Sequence, residues 1–178
     1  MTATPLSPEA LRAIERRLTR LEDVRAIQEL VHRYTQAADS VDGDKNVDAL
    51  VACFTPEGRW RANLEGSYEG RSFGDFRGRD QIRRYFSESS LLMSLHYATN
   101  PVIEIGEDGA TASGDFHLYS LNTMPAQPKL APSDPAQTHA EPVLILGEYS
   151  NLFVKRNGEW LIDELTVDIR YVSVPASE

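Results

Sequence analysis

One run constrains this chain more than any other. From Pro8 to about Asp39, the residues Leu11, Ile14, Leu18, Leu21, Val24, Ile27, Leu30/Val31, Tyr34 and Ala38 recur at intervals of three and four. That is the period of a helix with one apolar face. Arg16, Arg17, Arg20, Glu22 and Arg25 occupy the opposite side. Ser7-Pro8-Glu9 supplies the start: a hydroxyl to cap, a proline at the first helical position, an acid in the first turn. Residues 1–7 read as a flexible arm. Leu21-Glu22-Asp23 is a place where the run could break into two helices. The heptad-like spacing could also serve packing against a partner, although the stretch is short for a coiled coil.

After the helix the pattern changes. Ser40 to Asn46 is a polar loop. It lacks the calcium-loop spacing: counting from Asp39, the sixth and twelfth places hold Asp44 and Leu50, where a Gly and a Glu are needed. Asn46 to Phe54 predicts a second short helix with Val47, Leu50, Val51 and Phe54 inward, ended by Pro56-Glu57-Gly58. Arg59 to Leu64 reads as a strand, and Ser67 to Phe76 as a Gly-rich strand or loop. Gly78 to Phe86 opens a third helix, with Ile82, Tyr85 and Phe86 inward. From there residues alternate as strands do. His96 to Ile105 is followed by a turn at Gly106-Glu107-Asp108-Gly109 and a returning strand from Ala110 to Leu121. Residues 122–142 form a long Pro-rich loop of the length usual for a lid, an interface arm or a disordered segment. Val143 to Val154 and Trp160 to Val172 are the last strands, joined at Arg156-Asn157-Gly158-Glu159. Residues 8–174 therefore read as one α+β domain, with 175–178 as a tail. The expected form is a cone-shaped barrel: a curved mixed or antiparallel sheet wraps the long helix, two further helices accompany it, and a cavity lies between sheet and helix.

Composition excludes several roles. The chain has 178 residues, with 27 acidic and 18 basic ones, a formal net charge of −9. Such a surface repels phosphate backbones and anionic membranes, so neither nucleic acid nor membrane is an expected partner. A single cysteine, Cys53, permits neither an intrachain disulfide nor a thiolate zinc cluster, and its place on an apolar stripe reads as inert core. The four histidines show no HxH or HxxxH spacing, so no metal is expected. No Gly-rich phosphate loop follows a strand, so no nucleotide is expected, and no cofactor of any kind. The absence of an apolar leader and of an 18-residue apolar stretch points to the cytoplasm.

The stretches LEDVRAIQELVHRYTQAAD (21–39), ALVACFTPEGRW (49–60), FRGRDQIRRYF (76–86), HYATNPVIEIGEDG (96–109) and GEYSNLFVKRNGEWLIDELTVDIRY (147–171) resemble the SnoaL-like branch of the nuclear transport factor 2-like superfamily. They span roughly residues 20–172. The resemblance is specific for fold and much less so for function, since the superfamily holds dehydratases, isomerases, epoxide hydrolases, small subunits of ring-hydroxylating dioxygenases and binding proteins.

What the resemblance implies for the site is narrower. Tyr34, Asp39 and His96 match positions used by members of the scytalone dehydratase, bile-acid dehydratase and lindane dehydrochlorinase types. There, an Asp–His pair removes a proton from carbon and a polar helix residue assists. The chemistry is sound: imidazole is a competent base near neutrality, a carboxylate fixes its tautomer, and a phenol can donate to an oxygen gaining charge. Each has a plainer reading: His96 as a strand-end histidine bonded to backbone, Asp39 as a helix cap, Tyr34 as core. Two residues five apart on a helix lie about 140° from each other, so Tyr34 and Asp39 share a cavity only if the helix ends, unwinds or is enclosed on both sides there. Asp42 is a fallback acid. His117, with Asp115 and Tyr119 on its strand face, and Arg170, at a position where relatives carry a cation, complete the candidates. Arg170 has an ion pair with Asp168 or Glu164 as its alternative. His32 and His139 read as structural or exposed. Trp60, Trp160, Phe73 and Phe76 read mostly as core, with one or two against a pocket. The implied function is a cofactor-independent lyase of dehydratase type acting on a small hydrophobic cyclic molecule. A ketosteroid-isomerase-like proton shuttle and a non-catalytic ligand-binding or oxygenase small subunit are the alternatives. Assembly into homodimers or homotrimers is expected on the same ground.

Overall fold

The computed structural model describes residues 6–41, 44–64, 72–88, 93–123 and 142–173. The periodic run forms one unbroken helix, α1 (Pro8–Ala38), whose first turn is capped by Ser7 Oγ accepting from the Ala10 N–H at 3.1 Å. The expected break at Leu21–Asp23 does not occur. Asp23 interrupts the apolar stripe because it is itself an inward-facing anchor. Its Oδ1 accepts from Lys155 Nζ at 2.6 Å and from the Trp160 indole N–H at 2.8 Å, and the residue is buried. Beyond this anchor Ile27, Leu30, Val31 and Tyr34 enter the core, whereas Leu11, Ile14, Leu18 and Leu21 before it are exposed. The stripe is therefore continuous in sequence but only its second half is covered by this chain.

Removing the Asp23 carboxylate orphans a buried indole N–H and leaves an ammonium, 26% exposed at its side chain, without its nearest counter-charge. Losing one member of a buried pair costs several kcal/mol; partial exposure of Lys155 reduces this, and about 2 kcal/mol is expected for Asp23→Ala. Asp23→Asn, which keeps an acceptor oxygen, is expected to lose less. Urea unfolding of both variants checks the order; equal stability of Asp23→Ala and the parent would remove Asp23 as an anchor.

Strands β1 (Ser40–Val41) and β2 (Asp44–Lys45) are short and lead into α2 (Val47–Ala52), which Asn46 caps through its side-chain oxygen. This helix is shorter than the sequence suggests. Pro56-Glu57-Gly58 does not end it: the helix stops before Cys53, and β3 (Phe54–Leu64) already contains Pro56. Proline is tolerated because the β3 register shifts between Phe54 and Arg59, a bulge that releases the ladder where an N–H is missing. Next come β4 (Ser72–Arg77), α3 (Gly78–Ser87), β5 (Met93–Ile105), β6 (Thr111–Thr123), β7 (Pro142–Arg156) and β8 (Glu159–Val172). The expected loop at 122–142 is narrower than read, since residues 122, 123 and 142 belong to strands; 124–141 lie outside the described residues, as do 1–5 of the arm and the tail at 175–178.

The sheet order is β2-β1-β5-β6-β7-β8-β3-β4. All described pairings are antiparallel except β3 with β8, so the sheet is mixed. It is curved and not closed, and with the three helices it makes the α+β cone expected. Parity sets its two faces: Ala112, Gly114, Phe116 and Leu118 of β6 point inward, Ser113, Asp115, His117 and Tyr119 outward. No helix among the described residues is long and apolar enough to cross a membrane.

Candidate active site

The second half of α1 and the inner sheet face enclose a cavity of about 400 Å³, within the range that holds a ring-sized ligand. A larger hollow of about 1000 Å³ lies between α1, α2 and the β7–β8 turn. That one is an open trough lined by Glu22, Glu29, Arg33 and Gln36, among others, and it contains none of the candidate groups. The smaller cavity is apolar and gathers the chemistry.

Its wall on one side is aromatic. Trp60, Tyr85 and Phe86 line it; Trp60 lies 4.9 Å from Tyr85 between ring centres, and Phe76 stacks on Tyr85 at 4.3 Å. Tyr34 reaches in from α1. It is 2% exposed, and its oxygen accepts from the Trp60 indole N–H at 2.9 Å. Burial drives the Tyr34 phenol far above its ordinary pKa, against the smaller opposing effect of the Trp60 bond. It is a donor, not a base.

Asp39 solves the helical-angle problem by leaving the helix. It is the C-cap residue, with φ −64° and ψ 146°, and its N–H still closes on Thr35 O at 2.9 Å. The extended ψ swings the chain off the helical spiral. Pairing of Ser40 with Ser94 then brings the residue before β1 alongside the start of β5. One carboxylate oxygen of Asp39 accepts the His96 backbone N–H at 2.7 Å and lies 3.0 Å from His96 Nδ1. The first contact fixes where the oxygen is. The second places the imidazole hydrogen on Nδ1 and leaves the Nε2 lone pair for other work. His96 lines the cavity together with Tyr34.

A polar seam runs beside them. Ser94 Oγ donates to Asn122 Oδ1 at 2.8 Å, and Asn122 Nδ2 donates to Ser120 Oγ at 2.9 Å. All three are buried and line the cavity. Lys45 reaches the same rim, where burial lowers its pKa. Sequence reading missed this seam, although the signal existed: Leu118, Ser120 and Asn122 share the inward parity of β6, so two polar residues follow the apolar ones onto a core-facing row.

The structure does not bring His117 or Arg170 to the cavity. Parity is the reason: Phe116, Leu118 and Ile169 point in, so His117 and Arg170 point out. His117 is exposed, with Asn100 Nδ2 3.3 Å from its Nδ1. Arg170 is exposed and pairs with Glu148 across to β7 at 3.1 Å, not with Asp168 or Glu164. Asp42 and His139 lie outside the described residues, as does the Phe73 side chain. His32 is exposed, and Cys53 is buried with its thiol pKa pushed up by burial. Trp60 lines the cavity, while Trp160 is buried beside Asp23. Among the described residues no group of three or more His, Cys, Asp or Glu side chains is placed to hold a metal ion.

A family model described as a SnoaL-like domain matches residues 19–166. No curated protein matches the chain. Among solved structures, a type 2 hexachlorocyclohexane dehydrochlorinase shares 19% identity, with 90% of this chain and 94% of that one covered, at a TM-score of 0.67. A type 3 enzyme of the same name from Novosphingobium barchaimii shares 18%, covering 90% and 95%, at 0.66. A scytalone dehydratase-like protein from Novosphingobium aromaticivorans shares 15%, covering 90% and 92%, at 0.64. At such identities these likenesses speak for the fold alone.

Proposed function

The chain belongs to the SnoaL-like domain family, and from that premise we propose that it is a cofactor-independent lyase of small hydrophobic cyclic molecules. The observation that carries the reading is the 3.0 Å approach of Asp39 to His96 Nδ1 at the wall of an apolar cavity. In the reaction His96 Nε2 takes a proton from a ring carbon. The C–H electron pair becomes a carbon–carbon π bond as the group on the neighbouring carbon leaves with its own bonding pair. If hydroxide leaves, the imidazolium returns the proton and water is released; if halide leaves, the proton goes to solvent. One C–H and one C–X bond break, one π bond forms and HX is lost, so no oxidant or reductant is needed. Asp39 opposes the charge that develops on the imidazolium, Tyr34 donates to an oxygen that gains charge, and the apolar walls keep water from competing.

The test is turnover. A panel of cyclic β-hydroxy ketones, simple cyclic alcohols and hexachlorocyclohexane, the last named for two of the similar structures, would be followed by mass spectrometry for loss of water or HCl. At least one class is expected to react about 10³-fold or more above buffer. Binding of ring compounds with no elimination in any class would make the protein a ligand carrier instead.

A further inference from the structure

The opening turns of α1 take no part in the cavity. From Leu11 to Glu22 every residue but Ala13 is exposed, so this stretch stands away from the described body. It nevertheless carries an apolar stripe: Leu11, Ile14, Leu18 and Leu21 are between 47% and 68% exposed. That stripe is not the rim of the core. At about 100° per residue, the steps of three from Leu21 through Val24 and Ile27 to Leu30 turn the apolar face by about 180°. The exposed four therefore look away from the side on which Ile27, Leu30 and Tyr34 are buried. Their spacing of three, four and three is that of a coiled-coil seam, two heptads with Leu11 and Leu18 at a and Ile14 and Leu21 at d. The stripe is about 80° wide, narrower than a core-facing or membrane-lying face. Residues 8–22 hold no Trp or Phe, the side chains with which a helix lying in lipid anchors itself.

We propose that this stripe is the interface between two copies of the chain, packed as a short parallel coiled coil. The charges beside the seam choose the partner and its direction. Glu15 and Glu22 flank it at the e positions and Arg17 at a g position. In a parallel, in-register pair each Arg17 faces the partner's Glu22, five residues on, and two-fold symmetry makes two such contacts. In an antiparallel pair e meets e and g meets g, so glutamate faces glutamate and arginine faces arginine. The stripe thus complements itself in one direction only. Sterics agree. Because the stripe looks away from the core, two α1 helices meet back to back with their bodies on the outside. The seam stops at the next a position, Arg25, whose side chain is 80% exposed and holds Glu29 at 2.9 Å; beyond it the helices part. Two heptads are marginal as free peptides, because each must first nucleate a helix. Here the helix is already formed: its second half is packed in the domain, and Asp23 ties its middle to Lys155 and Trp160. Association therefore carries no nucleation cost. This interface is independent of any reaction in the cavity.

The experiment is analytical ultracentrifugation of the full chain, L18E, R17E and the exchanged pair R17E/E22R. All three positions are exposed, so the fold is not at stake. The full chain is expected to sediment as an even-numbered assembly. L18E, which sets a carboxylate from each copy in the seam, is expected to halve that mass, weakening association by about 10²-fold or more. R17E brings like charges face to face and is expected to weaken it about ten-fold. Adding E22R restores opposite charges and returns the affinity to within about two-fold of the parent. A monomeric parent, an assembly whose mass L18E leaves unchanged, an R17E variant that associates like the parent, or a loss that E22R does not repair would overturn the proposal. So would a monomer that sediments with phosphatidylserine vesicles, or one that L18E destabilises to urea, since lipid or another segment of the same chain would then be what covers the stripe.

Discussion

His96→Gln is expected to cut kcat for elimination by about 10³-fold while leaving ring binding in the cavity nearly unchanged. Glutamine has roughly the reach of imidazole and keeps a polar tip at the wall, but it cannot take a proton from carbon. General-base contributions of this kind span about 10²–10⁴. The split between kcat and binding is the informative part. A histidine that served only as a strand-end residue would, on replacement, disturb β5 and the cavity, and binding would fall with turnover. Steady-state kinetics on whichever ring compound reacts, alongside equilibrium titration of that compound into the variant, separates the two. A variant that turns over within about ten-fold of the parent would end the case for His96 as base.

Asp39 gives the second large effect, and its geometry makes an unusual forecast. A single oxygen of Asp39 serves both the His96 backbone N–H and Nδ1. Asparagine can present its carbonyl oxygen at that same point, so Asp39→Asn keeps the acceptor, and with it the imidazole tautomer, and loses only the charge. Asp39→Ala loses both. Activity is therefore expected to fall in steps, about 10²-fold for Asn and towards the His96→Gln level for Ala. The measurement is kcat for the two variants side by side. Equal losses would mean that the charge carries the whole effect and the tautomer none, or that the introduced amide has flipped. No loss in either would leave Asp39 as a helix cap alone.

Much of this arrangement is readable before any coordinates. The three-four spacing of α1, the Ser7-Pro8 start and the alternation along β6 each follow from one local period. What the sequence hides depends on residues far away. Asp23 looks like a break in an apolar stripe because its partner, Lys155, is 132 positions distant. Pro56 looks like a helix stop because the bulge that accommodates it is defined only by the register against β8. His117 and Arg170 illustrate a third case. Their parity relative to Phe116 and Ile169 is plain in the sequence, but which parity faces the cavity is decided by the direction in which the sheet curves.

The two anchors on α1 make that helix a measuring rod. Asp23 is fastened to Lys155 and Trp160, and Asp39 is fastened to His96. Between them the helix sets a span of about 1.5 Å and a turn of about 100° for every residue. One inserted or deleted residue in that interval would point Asp39 away from β5, whatever became of the core. Upstream of Asp23 no such gauge applies, for the exposed turns bearing Leu11, Ile14, Leu18 and Leu21 set no distance to the cavity. Length variation among descendants of this chain should thus be harmless to the cavity at one end of a single helix and forbidden at the other.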